Sequence, residues 1–380
     1  MISRKLIYLF LCSLIFMFLS FFINVKISKA LEGACGACHT MHNSQGGLPM
    51  RFDNETQPLR ALVRGDCVYC HSDTGPKEAP TVVSMENMPN YTFGSEDEVT
   101  AGGDFYWVIK EDDAKGHNVN GTGATLPDSK IGPNLNYKPP GYMKNYGSKG
   151  RDHDWDKPLT CAGKYGCHGY IDKEDPFAAI SGAHHANKNC NSTAGNCNYN
   201  TPAESYRFLL GIKGTEDPNW ELGPLDKDHH NGYYAVDADP DNGTADEHSI
   251  NYLCGECHGQ FHSETESSPD WYASPWLRHP TDYDMNRVSS KEYGNYPGIF
   301  NGTLGTSNIG DYFAEVPVGN KDGAVLSQVL QNPDDAIVLC ISCHRAHATP
   351  YDDILRWDYS SCTAGSQNTN CGCFACHTSK

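Results

Sequence analysis

Residues 35–42 read CGACHTMH, and the first five letters of this stretch form the pattern C-x-x-C-H, which occurs five times in the chain. The copies are Cys35-Cys38-His39, Cys67-Cys70-His71, Cys254-Cys257-His258, Cys340-Cys343-His344 and Cys373-Cys376-His377. This pattern is the signature of covalent haem c attachment. Two thiols about one turn apart can each add to a haem vinyl group, and the next histidine then ligates the iron from the proximal side. A zinc site would not explain the histidine that follows every pair.

A sixth, wider site is predicted at residues 161–168, which read CAGKYGCH. Cys161 and Cys167 are separated by five residues, and His168 follows directly. A longer loop can still present two thiols to the vinyl groups of one haem. The alternative is a disulfide between Cys161 and Cys167 beside an ordinary histidine. We therefore expect six haem c groups in total.

Four further cysteines bracket two polar loops, where export and local spacing favour two structural disulfides, Cys190–Cys197 and Cys362–Cys371. The segment CGCFACH leaves one choice open, because Cys376 could share a haem with Cys371 or with Cys373. The tighter pair, Cys373 and Cys376, is our prediction.

Histidines for the distal side of each iron are abundant, since only six of the 17 histidines follow an attachment cysteine. The best candidates are His42, His117, His184, His185, His262, His279 and His347, with His184 and His185 as alternatives for one position. Four others, His153, His229, His230 and His248, stand in polar, Asp-rich segments and are expected to be solvated, with His230 held in reserve. Bis-histidine ligation leaves no open iron position, which suits electron transfer rather than an enzyme.

Chain geometry limits which iron the closest of these histidines can reach. His42 follows His39 by three residues, His347 follows His344 by three, and one further pair is four residues apart. Segments this short cannot pass around the edge of a macrocycle, because each residue spans at most about 3.3–3.6 Å. Each second histidine must therefore ligate a different haem, and the haems must lie close together in a chain.

The first thirty residues form a separate segment. Arg4 and Lys5 precede an apolar run from Leu6 to Val25, and Ser28-Lys29-Ala30 is a plausible cleavage site, so residues 1–30 are predicted to be a signal peptide. A retained membrane anchor is the alternative. Removing four cationic residues and no acidic ones lowers the formal charge from -18 to -22, which argues against nucleic acid as a partner.

Residues 31–380 are expected to form one domain of mostly irregular backbone, with short α-helices and few short strands around a stacked haem chain. Hydrophobic residues make up 38% of the chain, and it holds 37 glycines and 22 prolines, so side chains alone would build a poor core. We predict helices over 203–212, 269–277 and 333–347, and strands over 104–109 and 312–318. Haems would supply the missing apolar interior.

The motifs CGACHTMHNSQGG, CVYCHSDTGP, GGDFYWV with KGHNV, CGECHGQFHS with LRHPTD, CISCHRAHA and CFACHTSK resemble those of the OmcS-type hexahaem cytochromes, in the same order. The resemblance runs along the whole mature chain and is weakest between about residues 119 and 250. The third site departs from the family pattern: it is wider, the histidine just after it is absent, and SGAHHANK stands instead.

Members of that family are exported and polymerise into extracellular filaments, so the resemblance implies a conductive homopolymer that passes electrons to other cytochromes or extracellular acceptors. It also implies that His42 ligates the Cys340/Cys343 haem of the adjacent subunit, opposite His344. The alternatives are a soluble periplasmic electron shuttle and, less favoured, a multihaem oxidoreductase.

Overall fold

The computed structural model describes residues 34–77, 79–94, 98–120, 137–144, 154–182, 199–223, 225–237, 246–261, 279, 281–287, 296, 309–366 and 368–377. Most of this backbone is loop. The α-helices in these ranges are α1 (Cys35–Cys38), α2 (Cys67–Cys70), α3 (Tyr106–Lys110), α4 (Pro176–Ala179), α5 (Ile250–His258) and α6 (Cys340–Cys343). The prediction of a mostly irregular chain with short helices and few short strands is confirmed.

The strands are two or three residues long. They are β1 (Ser44–Gln45), β2 (Leu48–Pro49), β3 (Gly214–Thr215), β4 (Gly232–Tyr234), β5 (Gly310–Asp311), β6 (Gly319–Asn320) and β7 (Gln328–Val329). β1–β2 and β5–β7 are antiparallel pairs, while β4 pairs antiparallel with β3 and parallel with β6. The 3-10 turns span Arg60–Leu62, Asp113–Lys115, Pro202–Glu204, Tyr206–Phe208, Gly259–Phe261, Met285–Arg287, Asp352–Ile354, Tyr359–Ser361 and Gly372–Ala375.

The cysteine motifs themselves form helical turns. α1, α2 and α6 each run from the first to the second cysteine of a C-x-x-C-H motif, and α5 ends on His258, the histidine of the third copy. Ser249 caps α5 by accepting a hydrogen bond from the Tyr252 N–H at 3.1 Å. One helical turn brings both sulfurs of a motif to the same side, as the attachment chemistry requires.

Both predicted strands are wrong. Residues 106–110 form helix α3, because the Asp104 carboxylate accepts the Tyr106 N–H at 2.8 Å and so initiates the turn. Trp107 and Val108 are buried against neighbouring segments rather than in a sheet. Residues 312–318 are buried but irregular, so their β-branched and aromatic content reflects burial and not a sheet ladder.

Two predicted helices are also corrected. Residues 203–212 form 3-10 turns with Arg207 and Phe208 at positive φ, because this segment closes a loop through a hydrogen bond from the Tyr206 N–H to the Ile212 carbonyl. Within 333–347 only α6 is an α-helix. The Asp335 carboxylate instead accepts several backbone N–H groups of residues 330–332, which fixes a turn. The helix predicted at 269–277 lies outside the described residues.

Apolar side chains in the described ranges form several small clusters. The largest surrounds Trp357, Tyr312, Val329 and Phe374, and the others contain nine buried residues or fewer. None of the helices within the described ranges is both long enough and apolar enough to cross a membrane. The cores are small for a chain of 380 residues.

Candidate haem-binding sites

The twelve cysteines assigned to haem attachment are all present as thiols. Cys161 and Cys167 are among them, so the alternative of a disulfide at the third site is not what the structure forms. Cys362 and Cys371 are joined in a disulfide with their Cα atoms 5.1 Å apart, as predicted. Cys190 and Cys197 lie outside the described residues.

The wide third site shares one backbone hydrogen bond with the shorter sites. In the first and second sites, the histidine N–H donates to the carbonyl of the first cysteine, at 2.8 Å for His39 and 2.9 Å for His71. His168 makes the same bond to Cys161 at 3.0 Å although the loop has three more residues. Gly163 permits this folding, since its φ is +87° and a Cβ there would lie 2.4 Å from the Lys173 carbonyl oxygen.

The histidine that follows each attachment pair is oriented by a backbone carbonyl. The Nδ1 atom lies 2.7–3.0 Å from one carbonyl oxygen at five of the six sites: His39 to Ala61, His71 to Pro80, His168 to Arg207, His258 to Pro140 and His344 to Asp353. An Nδ1–H that donates to a carbonyl leaves Nε2 as the lone-pair nitrogen for a metal. These carbonyls could not be identified from the sequence, because they lie up to 118 residues from their histidine.

Several of these imidazoles are also kept neutral. Burial lowers the pKa of His71 and of His117, and in each case a bond to a backbone carbonyl opposes the shift. Burial, together with the nearby His168, His117 and His71, lowers the pKa of His347 to about 3. A neutral imidazole is the form that ligates iron.

His117 and His347 are held together by backbone hydrogen bonds between them and to the Gly102–Gly103 segment. The His117 N–H donates to the His347 carbonyl at 2.9 Å, and its Nδ1 lies 2.7 Å from the Ala346 carbonyl. The His347 N–H donates to the Gly102 carbonyl at 2.7 Å. Gly103 has a φ of +87°, and a Cβ there would lie 2.0 Å from the Ala348 oxygen, so the GGD segment can approach this closely only with glycine.

Two candidate distal histidines each lie opposite a different proximal histidine. The ring centres of His117 and His258 are 6.2 Å apart, and those of His279 and His377 are 5.9 Å apart. Two imidazoles on opposite sides of one iron, each with a metal–nitrogen bond of about 2 Å, have ring centres roughly 6 Å apart. Both pairs therefore have the separation that a shared iron requires.

Thiols of consecutive sites lie close to one another. Cys67 of the second site contacts Cys161 of the third, and Cys254 of the fourth contacts Cys340 of the fifth. Burial raises the pKa of Cys70 to about 12, with the Cys38 thiol of the first site adding to the shift. The fifth and sixth sites are linked likewise, because burial raises the pKa of Cys343 to about 12 and the Cys373 thiol adds to it.

His42 lies on an exposed arm. Its side chain is exposed, and the neighbouring Met41 and Leu48 expose 84% and 71% of their surface. The hydroxyl of Thr40 donates to the His42 carbonyl, and the β1–β2 hairpin follows. The arm thus presents an imidazole between apolar side chains at the surface.

The other histidines differ from these. His230 is buried, and its two ring nitrogens lie 2.7 Å and 3.1 Å from the carbonyl oxygens of Asn231 and Leu326, so neither nitrogen faces a possible iron. Its expected solvation is therefore wrong. His229 is exposed and contacts Asp226, as predicted. His248 is half-buried, with Nδ1 2.9 Å from the Gly211 carbonyl. His153, His184, His185 and His262 lie outside the described residues.

A buried charge cluster beside the fifth site was missed in the sequence. Arg345, directly after His344, donates to the Thr100 carbonyl at 2.8 Å and lies 3.7 Å from the Glu315 carboxylate. Arg356 donates to the Ile341 carbonyl at 2.7 Å, and both guanidinium groups are almost fully buried. The only sequence signal was a cation adjacent to a motif histidine.

Repeated thiol pairs, most of them on helical turns and five of them followed by an imidazole with a carbonyl-bound Nδ1, are features typical of c-type cytochromes. No model of a known protein family matches the chain. The C-type cytochrome OmcS of Geobacter sulfurreducens is 24% identical over an alignment of 377 positions. The alignment covers 85% of this chain and 78% of that protein. The resemblance to OmcS-type cytochromes expected from the motifs is confirmed.

Two solved structures are also similar. The outer membrane cytochrome S filament from Geobacter sulfurreducens is 20% identical with a TM-score of 0.43, over 89% of this chain and 86% of that one. The OmcS nanowires of the same organism, determined by cryo-EM, are 21% identical with a TM-score of 0.39, over 93% of this chain and 92% of that one.

Proposed function

We propose that this chain is a hexahaem c-type cytochrome that transfers electrons outside the cell and polymerises into a filament. The observation that carries the proposal is the repeated geometry of a thiol pair followed by a histidine whose Nδ1 is bound to a carbonyl. Haem c bound at these sites would supply one-electron redox chemistry. The attachment cysteines would be Cys35, Cys38, Cys67, Cys70, Cys161, Cys167, Cys254, Cys257, Cys340, Cys343, Cys373 and Cys376.

The proximal ligands in this proposal are His39, His71, His168, His258, His344 and His377. The ring separations support His117 as the partner of His258 and His279 as the partner of His377. His347 would serve the second or third site, because His168 and His71 both lie near it. His42 is proposed to reach the fifth site of the next subunit, and His184, His185 and His262 remain candidates for the other irons.

A continuous path through one subunit is supported by the contacts between sites. Thiols link the first site to the second, the second to the third, the fourth to the fifth and the fifth to the sixth. A backbone hydrogen bond between His117 and His347 bridges the third and fourth sites. His117 faces His258 of the fourth site, and His347 lies near His168 of the third. Electrons would then pass along the sites in sequence order, with every iron closed by two histidines and none open for catalysis.

In this proposal, residues 1–30 direct export and residues 31–380 form the single mature unit. A contact between subunits at this arm would bury the exposed apolar side chains of Met41 and Leu48 beside His42, which is favourable. The solved structures of the related cytochrome are described as a filament and as nanowires, in keeping with the proposed extracellular homopolymer rather than a periplasmic shuttle.

The proposal is tested by expressing the full chain in a bacterial host that matures c-type cytochromes. The mass of the exported protein is expected to show six covalent haems, its electron paramagnetic resonance spectrum only low-spin iron, and negative-stain micrographs filaments. Low-spin protein that stays monomeric at all concentrations would indicate the shuttle instead. A stable high-spin signal would indicate an open, catalytic iron.

A His117→Ala variant tests the ligand assignment. Because His117 faces His258, about one sixth of the iron is expected to change from low-spin to high-spin while six haems remain attached. The matched control is His229→Ala. That histidine is exposed, and the side-chain hydrogen bonds that the structure gives for it are to Asp226. An unchanged spin state in the His117 variant would contradict the assignment.

A further inference from the structure

Three sulfur atoms meet at the sixth site. The Sγ atoms of Cys362, Cys371 and Cys373 all lie within 4.8 Å of one another, and Cys362 and Cys373 are 4.0 Å apart. Cys362 and Cys371 are bonded to each other, whereas Cys373 and Cys376 are thiols. The disulfide therefore ends directly beside a cysteine assigned to haem attachment.

The sequence offers two cysteines that could share a haem with Cys376. Cys373 gives the spacing C-x-x-C-H, and Cys371 gives a pattern with two more intervening residues. Under the proposed function, the third site of this same chain uses a still wider spacing between Cys161 and Cys167. Spacing alone therefore does not exclude Cys371.

The local fold keeps both sulfurs in one place. Gly372 separates the two cysteines and lies against the buried Trp357, where a Cβ would be only 2.2 Å from the indole carbon Cε3. The His377 N–H donates to the Cys373 carbonyl at 2.9 Å, which is the bond made to the first cysteine at the other sites. The backbone is thus set for Cys373, while the sulfur of Cys371 lies near enough to compete.

We propose that the Cys362–Cys371 disulfide selects the attachment cysteine of the sixth site by withholding Cys371; this rests on the haem-binding function proposed above. Thioether formation adds an S–H group across a vinyl C=C bond: a carbon–sulfur bond forms, the hydrogen goes to the other vinyl carbon, and no external oxidant or reductant is needed. A cysteine in a disulfide has no S–H group to add. Of the four cysteines in the last twenty residues, only Cys373 and Cys376 can then react.

The disulfide also protects Cys373. An unbonded Cys362 would place a second thiol 4.0 Å from the Cys373 sulfur, where a disulfide-forming oxidant of the export compartment could join the two sulfurs by taking up two electrons and two protons. Bonding Cys362 to Cys371 removes both competing thiols with one bond. This is a role beyond the stabilisation that a disulfide of nine-residue separation gives to a loop.

The test compares three exported, haem-loaded proteins: wild type, Cys362→Ser and the double variant Cys362→Ser/Cys371→Ser. Trypsin cleaves after Arg356, so one peptide, residues 357–380, carries all four cysteines. Each protein is denatured and treated with iodoacetamide without a reductant, and fragmentation of this peptide then locates the thioethers and any alkylated thiol.

Wild type is expected to give one haem peptide with thioethers at Cys373 and Cys376 and no alkylation. Cys362→Ser is expected to give two isomers, one bonded through Cys371 and one through Cys373. The double variant lacks Cys371 and should therefore give a single isomer, bonded through Cys373 and Cys376. Because it also carries serine at position 362, it separates the effect of a released Cys371 from any effect of that serine.

A Cys362→Ser peptide bonded only through Cys373 and Cys376, with alkylation confined to Cys371, would overturn the inference. A wild-type peptide without haem would overturn the sixth site itself and the inference with it. The two failures are distinguishable because the first leaves the haem content of the wild-type peptide intact.

Discussion

A His42→Ala variant is expected to be exported with all six haems but to remain monomeric, with one iron five-coordinate. His42 is exposed on its arm, and three residues of chain cannot bring it to the iron of His39. In the proposed function, which follows the family resemblance, His42 binds an iron of the neighbouring subunit, so the variant would lose that bond at every interface. We expect the protein concentration needed for assembly to rise at least about 100-fold, equivalent to about 2.7 kcal/mol per interface.

Filament length in negative stain and the high-spin fraction measure this outcome together. Added imidazole provides the matched control, because it should restore low-spin iron in the variant without restoring filaments. Leu48→Ala tests the apolar contact separately, since it leaves the imidazole in place and should keep the iron low-spin wherever filaments form. Intact filaments formed by the His42 variant would refute the link.

The chain produced without haem is expected to lack a native-like fold. Single helical turns of four residues are not stable alone, because isolated helices shorter than about 12 residues are marginal in water. Several of the apolar clusters within the described ranges are small. If six covalent haems fill the interior as proposed, their removal would expose much of its apolar surface. The near-ultraviolet circular dichroism of the haem-free chain should be lost, and its thermal transition should be broad.

The comparison uses residues 31–380 produced in the cytoplasm without haem, with the haem-loaded protein as control. Both are measured in the same reductant, so that the Cys362–Cys371 disulfide is open in each and the two samples differ only in haem. A cooperative melting transition of the haem-free chain similar to that of the haem-loaded protein would show that the side chains build the fold by themselves.

The candidate attachment sites could be proposed from the sequence because covalent chemistry sets their spacing. Two thiols must reach one macrocycle and the histidine must follow, so Cys35, Cys38 and His39 identify themselves locally. The Cys362–Cys371 disulfide could be predicted for a similar reason, since both residues remained after the motifs were assigned.

Secondary structure was harder to predict. Residues 104–109 had the aromatic and β-branched content of a strand, yet the carboxylate of Asp104 starts helix α3. Residues 203–212 had apolar side chains at helical spacing, yet Arg207 adopts a positive φ to close a loop. In both segments, contacts with distant residues outweighed local preference, as is common where elements are short.

The sequence by itself determined which side chains can hold haem, because that chemistry acts between neighbours in the chain. Only the tertiary structure decided which histidines face each other, which carbonyls orient them and which thiols of different sites meet. His117 and His258 are separated by 140 residues in the sequence, yet their rings lie 6.2 Å apart. Such pairings depend on the path of the whole backbone, which no local spacing encodes.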